Sequence, residues 1–403
     1  MLWNSTLCAA ETKHVFSYPA EWESHDAIWL GFRTFAQGNL HELLLNQMIR
    51  SLAPHVRVKA IVEDESLLPA GRDYFTMRGL NPDNIDIVIQ KHTDFWFRDP
   101  GPLFLTNYAG QLAIADFSYS EYANVIPEQY SPQALSDGKI DKVVALQLGL
   151  PSIVSRAVLE GGAFEVNGKG TILLSSMTAK RNPHLTRNEL ENEILRTLGQ
   201  RKIIWLNEGL AEDPHEFSLI SGKYWGRGAG GHTDEFVRFV NGSTVLLAWP
   251  SVQDRDANSI SMINASRMIE NHALLSKATD QNGEHFNIIH FPIPDLLIKY
   301  YQIPDAEIEL FRQQEPALNA GDTVFLTAAT SYLNYVISND VILLPAYWHK
   351  GRPLSTRKKD QQAMAIMKKY FPERKIIQLD PTTLNFLGGG MHCITQQQPV
   401  IRH

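Results

Sequence analysis

Four short strings hold the side chains of this sequence that could do chemistry: Asp94–Pro102 (DFWFRDPGP), Leu159–Gly162 (LEGG), Gly230–Phe236 (GGHTDEF) and Gly388–Gln398 (GGGMHCITQQQ). In each, polar groups sit beside tryptophan or glycine, and glycine leaves room for a ligand around a reacting group. Together they offer a thiol, histidines, carboxylates and an aromatic plate. That set suits thiol attack on a cationic planar carbon such as that of a guanidinium. Delocalised charge makes a guanidinium a poor electrophile, so a compact, strong nucleophile is needed. A thiolate meets the demand, and a bound cation favours the thiolate by opposite-charge interaction. Paired carboxylates can hold the fork of N–H donors, and a histidine can protonate the departing ammonia and then take a proton from water.

The elements that must position these strings alternate along the chain. Leu40, Leu43, Leu44, Met48 and Leu52 recur at helical spacing before a β-rich stretch from Val56 to Val62. Thr186 and Glu189 form a capping-box pattern, Leu190, Ile194 and Leu198 line the helix behind it, and Gly199 ends it. A strand over Lys202–Leu206 follows. A second helix over Lys358–Tyr370 precedes a strand over Lys375–Leu379, and RKIIWL (201–206) matches RKIIQL (374–379) at five of six letters. This match predicts a repeated supersecondary unit. Further strands are expected at 27–31, 85–89, 171–175, 245–249, 286–291, 323–327 and 341–344. A repeated, strand-rich α/β unit fits better than a doubly wound sheet.

Composition sets the outer limits. The chain has 403 residues, 44% hydrophobic and 20% charged, with net charge −7, a globular balance. It shows no basic stripe for a phosphate backbone, so nucleic acid is not an expected partner. No apolar run approaches the ~18 residues of a membrane span, and no signal peptide is apparent, so a cytoplasmic protein is expected. Only Cys8 and Cys393 are present, too few for a disulfide framework. No linker divides the sequence, which reads as a single unit over 1–403. Paired CxxC or HExxH spacings are absent, so neither a metal nor any other cofactor is expected. His232 with Asp234, or His392 beside Cys393, stand as the alternative metal ligands, and Asp99 with Arg98 as an alternative structural ion pair.

The same strings, with YPAEWESHDAIWL, LEGGAFEVNGKGT, KRNPHLT, GGHTDEFVRF and SYLNYVISNDVILLP, run in order through nearly the whole chain. In them the sequence resembles the agmatine deiminase and Porphyromonas-type peptidylarginine deiminase family of the guanidine-modifying superfamily. The resemblance implies an α/β fold with fivefold pseudosymmetry, a propeller of strand-helix units. It implies Cys393 as nucleophile, His232 as general acid/base, Glu160 as the group orienting that histidine, and Asp99 and Asp234 as carboxylates on the guanidinium. Trp96 is implied as a wall of the substrate slot. The implied reaction is hydrolysis of a guanidino group to a ureido group with release of ammonia, agmatine being the first-choice substrate.

Departures from the family pattern fall at Glu165 and Asn167, where His and Asp are usual, at Gly31-Phe32-Arg33, and in the long segment before His232. The segment from Glu212 to Gly230 is rich in glycine, which suggests a lid. Arg33, Lys223 and Arg227 are candidates to meet the carboxylate of free arginine or an arginyl peptide, the second substrate reading. A guanidine-binding protein without turnover, and an amidinotransferase that resolves the thiol adduct with an amine, stay open. So does assembly as a homo-oligomer.

Overall fold

The computed structural model describes residues 15–32, 41–63, 65–91 and 95–401, with the side chains of 69 and 70 left aside. Cys8, Arg33 and Asp94 lie outside the described residues. Among the described residues, twenty strands form six small sheets, and five of these share one pairing pattern. In each, two antiparallel strands are followed by a helix that crosses back to a third strand, parallel to the second.

In chain order the first unit holds β1 (His25–Gly31), α1 (Glu42–Leu52), β2 (Arg57–Val62) and an extra parallel strand β3 (Ile85–Ile89). The second holds β4 (Leu103–Thr106), β5 (Leu112–Ser118), α2 (Ile140–Leu148) and β6 (Ser152–Val158). The third holds β7 (Phe164–Val166), β8 (Thr171–Ser175), α3 (Arg187–Leu198) and β9 (Lys202–Leu206). A hairpin of β10 (His215–Ser221) and β11 (Tyr224–Ala229) intervenes. The fourth unit is β12 (Val237–Asn241), β13 (Thr244–Trp249), α4 (Ser259–Lys277) and β14 (Asn287–Pro292). After β15 (Ile298–Gln302) and β16 (Thr323–Thr327), the fifth is β17 (Val336–Ser338), β18 (Val341–Pro345), α5 (Leu354–Tyr370) and β19 (Lys375–Leu379). The last strand, β20 (Thr395–Pro399), returns to pair antiparallel with β1 and completes the first unit.

The matched strings RKIIWL and RKIIQL therefore end the third and fifth units at equivalent places, as β9 and β19. Both are third strands behind a crossover helix. Helix α3 shows why the local sequence folds so. Thr186 accepts the Glu189 N–H at its start, and Gly199 closes its end at φ 61°, a left-handed geometry that favours glycine. Its face of Leu190, Ile194 and Leu198 is fully buried, and each such side chain contributes about 1.5–3 kcal/mol by leaving water.

Two expectations need correction. Helix α1 buries Leu44, Leu45, Met48, Ile49 and Leu52, whereas Leu43 is 72% exposed. The apolar stripe is set one position later than expected, because Leu45 and Ile49 pack with Leu44 and Met48. The segment 212–230, expected to be a lid because of its glycines, is built around a β-hairpin over 215–229. Gly222 at φ 57° makes its turn, and β11 pairs parallel with β16 to build a sixth sheet in the order β10-β11-β16-β15.

Among the described residues no helix is long and apolar enough to cross a membrane. One regularity positions the chemistry. Each of the five repeated units is entered through a short loop just before its first hairpin strand: 95–102, 159–163, 230–236, 331–335 and 388–394. Four of these carry the strings singled out from sequence.

Candidate active site

The four strings, described over 95–102, 159–162, 230–236 and 388–398, are far apart in the chain, and the entry loops bring them together. Asp99, Trp96, His232, Asp234 and Cys393 all line one cavity of about 910 Å³. Gly162 stands among three of their functional groups. A Cβ there would lie 2.6 Å from His232 Nδ1, 3.1 Å from Asp99 Oδ1 and 3.2 Å from Asp234 Oδ2, so only glycine lets the three approach. Gly389 does the same on the other side, where a Cβ would meet the Trp96 ring at 2.7 Å and Cys393 Sγ at 3.2 Å. Trp96 thus stands beside the sulfur.

Cys393 is buried, with Sγ 3.7 Å from Asp234 Oδ2 and 3.8 Å from Glu235 Oε1. It accepts N–H groups from Gly390 at 3.3 Å and Asn334 Nδ2 at 3.2 Å. Burial, and then the charges of Asp234, Glu235 and Asp99, push the thiol pKa well above its ordinary value. In the free protein the sulfur is therefore protonated near neutral pH.

The carboxylates are held individually. Asp99 accepts the Gly162 N–H at 3.0 Å on Oδ1 and the Tyr122 hydroxyl at 2.7 Å on Oδ2. Burial raises its pKa, and Asp234 adds to the rise while His232 opposes it. Its neighbour Arg98 is not its partner. Arg98 bonds Glu21, Gln396 and Gln397 instead, so Asp99 and Arg98 form no structural pair. Asp234 lies 2.7 Å from His392 Nδ1, and the other ring nitrogen of His392 lies 2.8 Å from Glu21. Burial alone would raise the Asp234 carboxyl, but His392, with His232 and Arg238, holds the pKa below the ordinary value. Asp234 is thus kept ionised although buried, while Oδ1 has no hydrogen-bond partner.

His232 is buried at the start of the short helix Thr233–Phe236. Its Nδ1 lies 3.7 Å from Asp99 Oδ1, and its Nε2 has no partner. Burial disfavours the imidazolium, but Asp99, Glu160 and Asp234 more than offset it and raise the pKa. Glu160 itself is bonded to Arg181 at 3.0 Å. It has no hydrogen bond to His232, so its charge acts on the imidazole across space. An unpaired Nε2 and an unpaired Oδ1, both buried in one small site, are the atoms a donor-rich cation and its leaving group would engage.

Four residues here went unremarked in sequence. Asp213 accepts the backbone N–H groups of Ala229, Gly230, Gly231 and His232. Tyr122 caps Asp99 from a loop in which both Glu121 and Tyr122 are left-handed, at φ 54° and 65°. Glu235 is a second buried carboxyl beside the thiol, raised well above its ordinary pKa by burial and Asp234. Asn334 comes from the fifth entry loop, inside the string SYLNY. Their roles rest on long-range contacts, and only the clustering of polar types in GGHTDEF and SYLNY hinted at two of them.

Among the described residues, Asp234, Glu235 and Cys393 are the one group whose ligand-type atoms lie within 4.8 Å of one another. Neither His232 nor His392 belongs to it. Asn334 Nδ2 lies 3.2, 2.9 and 3.2 Å from those same three atoms. One amide donor is therefore shared among the three atoms of this cluster.

Of the cationic candidates for a substrate carboxylate, Lys223 is exposed in the β10–β11 turn and outside the cavity wall, whereas Arg227 lines it. The hairpin supplies further wall through His215, Glu216 and Phe217.

The fold and the gathered site define a guanidine-modifying hydrolase, and comparison with known proteins agrees. The model of the Porphyromonas-type peptidyl-arginine deiminase family matches residues 17–399, so the chain belongs to that family. An agmatine deiminase of Medicago truncatula is 28% identical over 97% of this chain and 98% of its own length. One of Pseudomonas aeruginosa is 28% identical over 96% of each. The solved agmatine deiminase of Enterococcus faecalis superposes with a TM-score of 0.73 at 22% identity, covering 97% of this chain and 98% of that one, and so shares its fold.

Proposed function

We propose that the enzyme hydrolyses agmatine to N-carbamoylputrescine and ammonia through a covalent intermediate on Cys393. The observation that carries this reading is the convergence of Asp234 and the His232–Asp99 pair around Gly162, with Cys393 Sγ 3.7 Å from Asp234 Oδ2, in one cavity. Asp99 and Asp234 hold the guanidinium fork, and Trp96 walls the slot. A bound cation amid these carboxylates favours loss of the thiol proton to solvent, which the site otherwise resists. The thiolate attacks the central carbon, giving a neutral tetrahedral adduct. His232, its proton stabilised by Asp99 and Glu160, donates to the departing nitrogen, and ammonia leaves a thiouronium on sulfur. Water then attacks as His232 takes one proton, the C–S bond breaks as the remaining hydroxyl proton passes to the departing sulfur, and the ureido product leaves the regenerated thiol.

Agmatine is favoured over arginine by the charge of the mouth. Glu121 and Glu216 line the cavity against a single cation, Arg227, and agmatine ends in an amine where arginine adds a carboxylate. These glutamates and Tyr122 are three of the four non-glycine left-handed residues among those described. Backbone strain of that kind collects at ligand-contacting sites. Free arginine or an arginyl peptide is the second reading, and Arg227 is the residue that favours it.

The repeated pairing pattern, with one entry loop per unit, also supports closure of the five units into a fivefold propeller. We infer one catalytic unit over 1–403, with the sixth sheet as an added wall. Assays of ureido product and ammonia on agmatine, arginine, methylated arginines and arginyl peptides test the substrate. Agmatine is expected to show the highest specificity constant.

A further inference from the structure

Asn334 is fully buried, and its amide spans the reaction centre. Oδ1 accepts the backbone N–H of His392 at 2.8 Å. This fixes the opposite end of the amide as the donor, since its neighbours there are two carboxyls and a sulfur. A Cβ on Gly390 would stand 2.4 Å from Oδ1, so the approach depends on that glycine. Nδ2 lies 3.2 Å from Asp234 Oδ2, 2.9 Å from Glu235 Oε1 and 3.2 Å from Cys393 Sγ. A primary amide has two hydrogens, and here they face three acceptors. Among the described residues the only other donor to the sulfur is the Gly390 N–H.

We propose that Asn334 is a positioning residue that couples filling of the guanidinium subsite to activation of Cys393. With the subsite empty, its hydrogens are shared among Asp234, Glu235 and the sulfur. When a guanidinium fork engages both oxygens of Asp234, Oδ2 gains a charged donor in place of the amide, and the amide hydrogens turn to Sγ and Glu235. A hydrogen bond to the charged form favours that form, so the thiolate gains its donor as the electrophile arrives. Thiol reactivity is thereby withheld until substrate is present. This inference rests on the reading of Cys393 as nucleophile and of Asp234 as a guanidinium carboxylate.

The test reads the thiolate directly, without turnover. Ultraviolet thiolate absorbance is followed in the full-length protein at neutral pH, with Cys393→Ala as blank, while guanidinium chloride is added at millimolar concentration. Thiolate should rise on addition in the wild type. In Asn334→Ala, and in the isosteric Asn334→Asp should the alanine variant fold poorly, the rise should be lost. In the same variant kcat for agmatine should fall about tenfold or more, with KM changing far less. An equal rise in the variant and the wild type, no rise in the wild type, or a loss confined to KM would overturn the proposal. Persistent turnover in Cys393→Ala is a separate result and would defeat the underlying reading of the thiol instead.

Discussion

Asp213 Oδ2 accepts the backbone N–H of His232 at 2.9 Å, and the same carboxylate holds the N–H groups of the three residues before it. Residues 214–228 lie between the two ends of this clamp. The β10–β11 hairpin is thus closed at its base, and the entry loop carrying His232 keeps its course whatever the hairpin does. Asp213→Asn turns one acceptor oxygen into a donor facing N–H groups. Leaving buried donors unpaired costs about 1–3 kcal/mol each, so melting temperature and kcat should fall together. An unchanged melting curve with unchanged kcat would refute the clamp. Gly228→Ala should act in the same direction, because its Cβ would stand 2.1 Å from Asp213 Oδ1.

Asp99→Asn and Asp234→Asn keep shape and remove charge. Each should lose a charge-assisted pair worth about 1.5–3 kcal/mol, a fall in kcat/KM of roughly 10- to 150-fold. The Asp234 variant should suffer more, since it also strands His392 2.7 Å away. Near-normal specificity constants in both would make these carboxylates structural.

Much of the frame was legible in the sequence. Strands such as 85–89, 171–175 and 202–206 stand where apolar β-formers predict them, and the helix Arg187–Leu198 carries its own start and stop signals. Helix α4 was not foreseen. Its inner face includes Asn264 and Asn271, which bond to the backbone at Ala211, Asn207 and Glu208, so polar residues interrupt the apolar stripe that periodicity detects. In the site, the strings with a thiol, histidine or aspartate beside glycine were readable. Asp213, Tyr122 and Asn334 were not, because each acts on partners distant in sequence or on backbone groups that side-chain spacing does not reveal.

The proposed reaction predicts a pH profile with two limbs of opposite sign. Asp99 must be ionised to bind a guanidinium, and its pKa is raised by burial and Asp234, so kcat/KM climbs with pH as Asp99 loses its proton. His232 must be protonated to release ammonia. Burial lowers its pKa, but the surrounding carboxylates raise it above the ordinary value, so activity declines as pH rises through that raised value. Glu160→Gln removes one of these charges. It should move the alkaline limb to lower pH, and a limb that stays in place would deny Glu160 any electrostatic hold on the histidine.

In the proposed reading, charge at the mouth sets the choice of substrate. Glu121→Gln and Glu216→Gln should each lower kcat/KM for agmatine more than for arginine, and Arg227→Ala should shift the ratio further toward agmatine. Ratios unchanged in all three variants would remove the rim from the account of specificity.

The central claim is that Cys393 carries the reaction covalently, and trapping of the intermediate tests it most directly. Enzyme mixed with agmatine is quenched in acid within the first turnovers, digested, and the peptide holding Cys393 weighed by mass spectrometry. The account predicts an adduct equal to agmatine less ammonia on Cys393, absent from Cys393→Ala, which should form no ureido product. Full turnover by Cys393→Ala, with no adduct on the wild-type peptide, would contradict it.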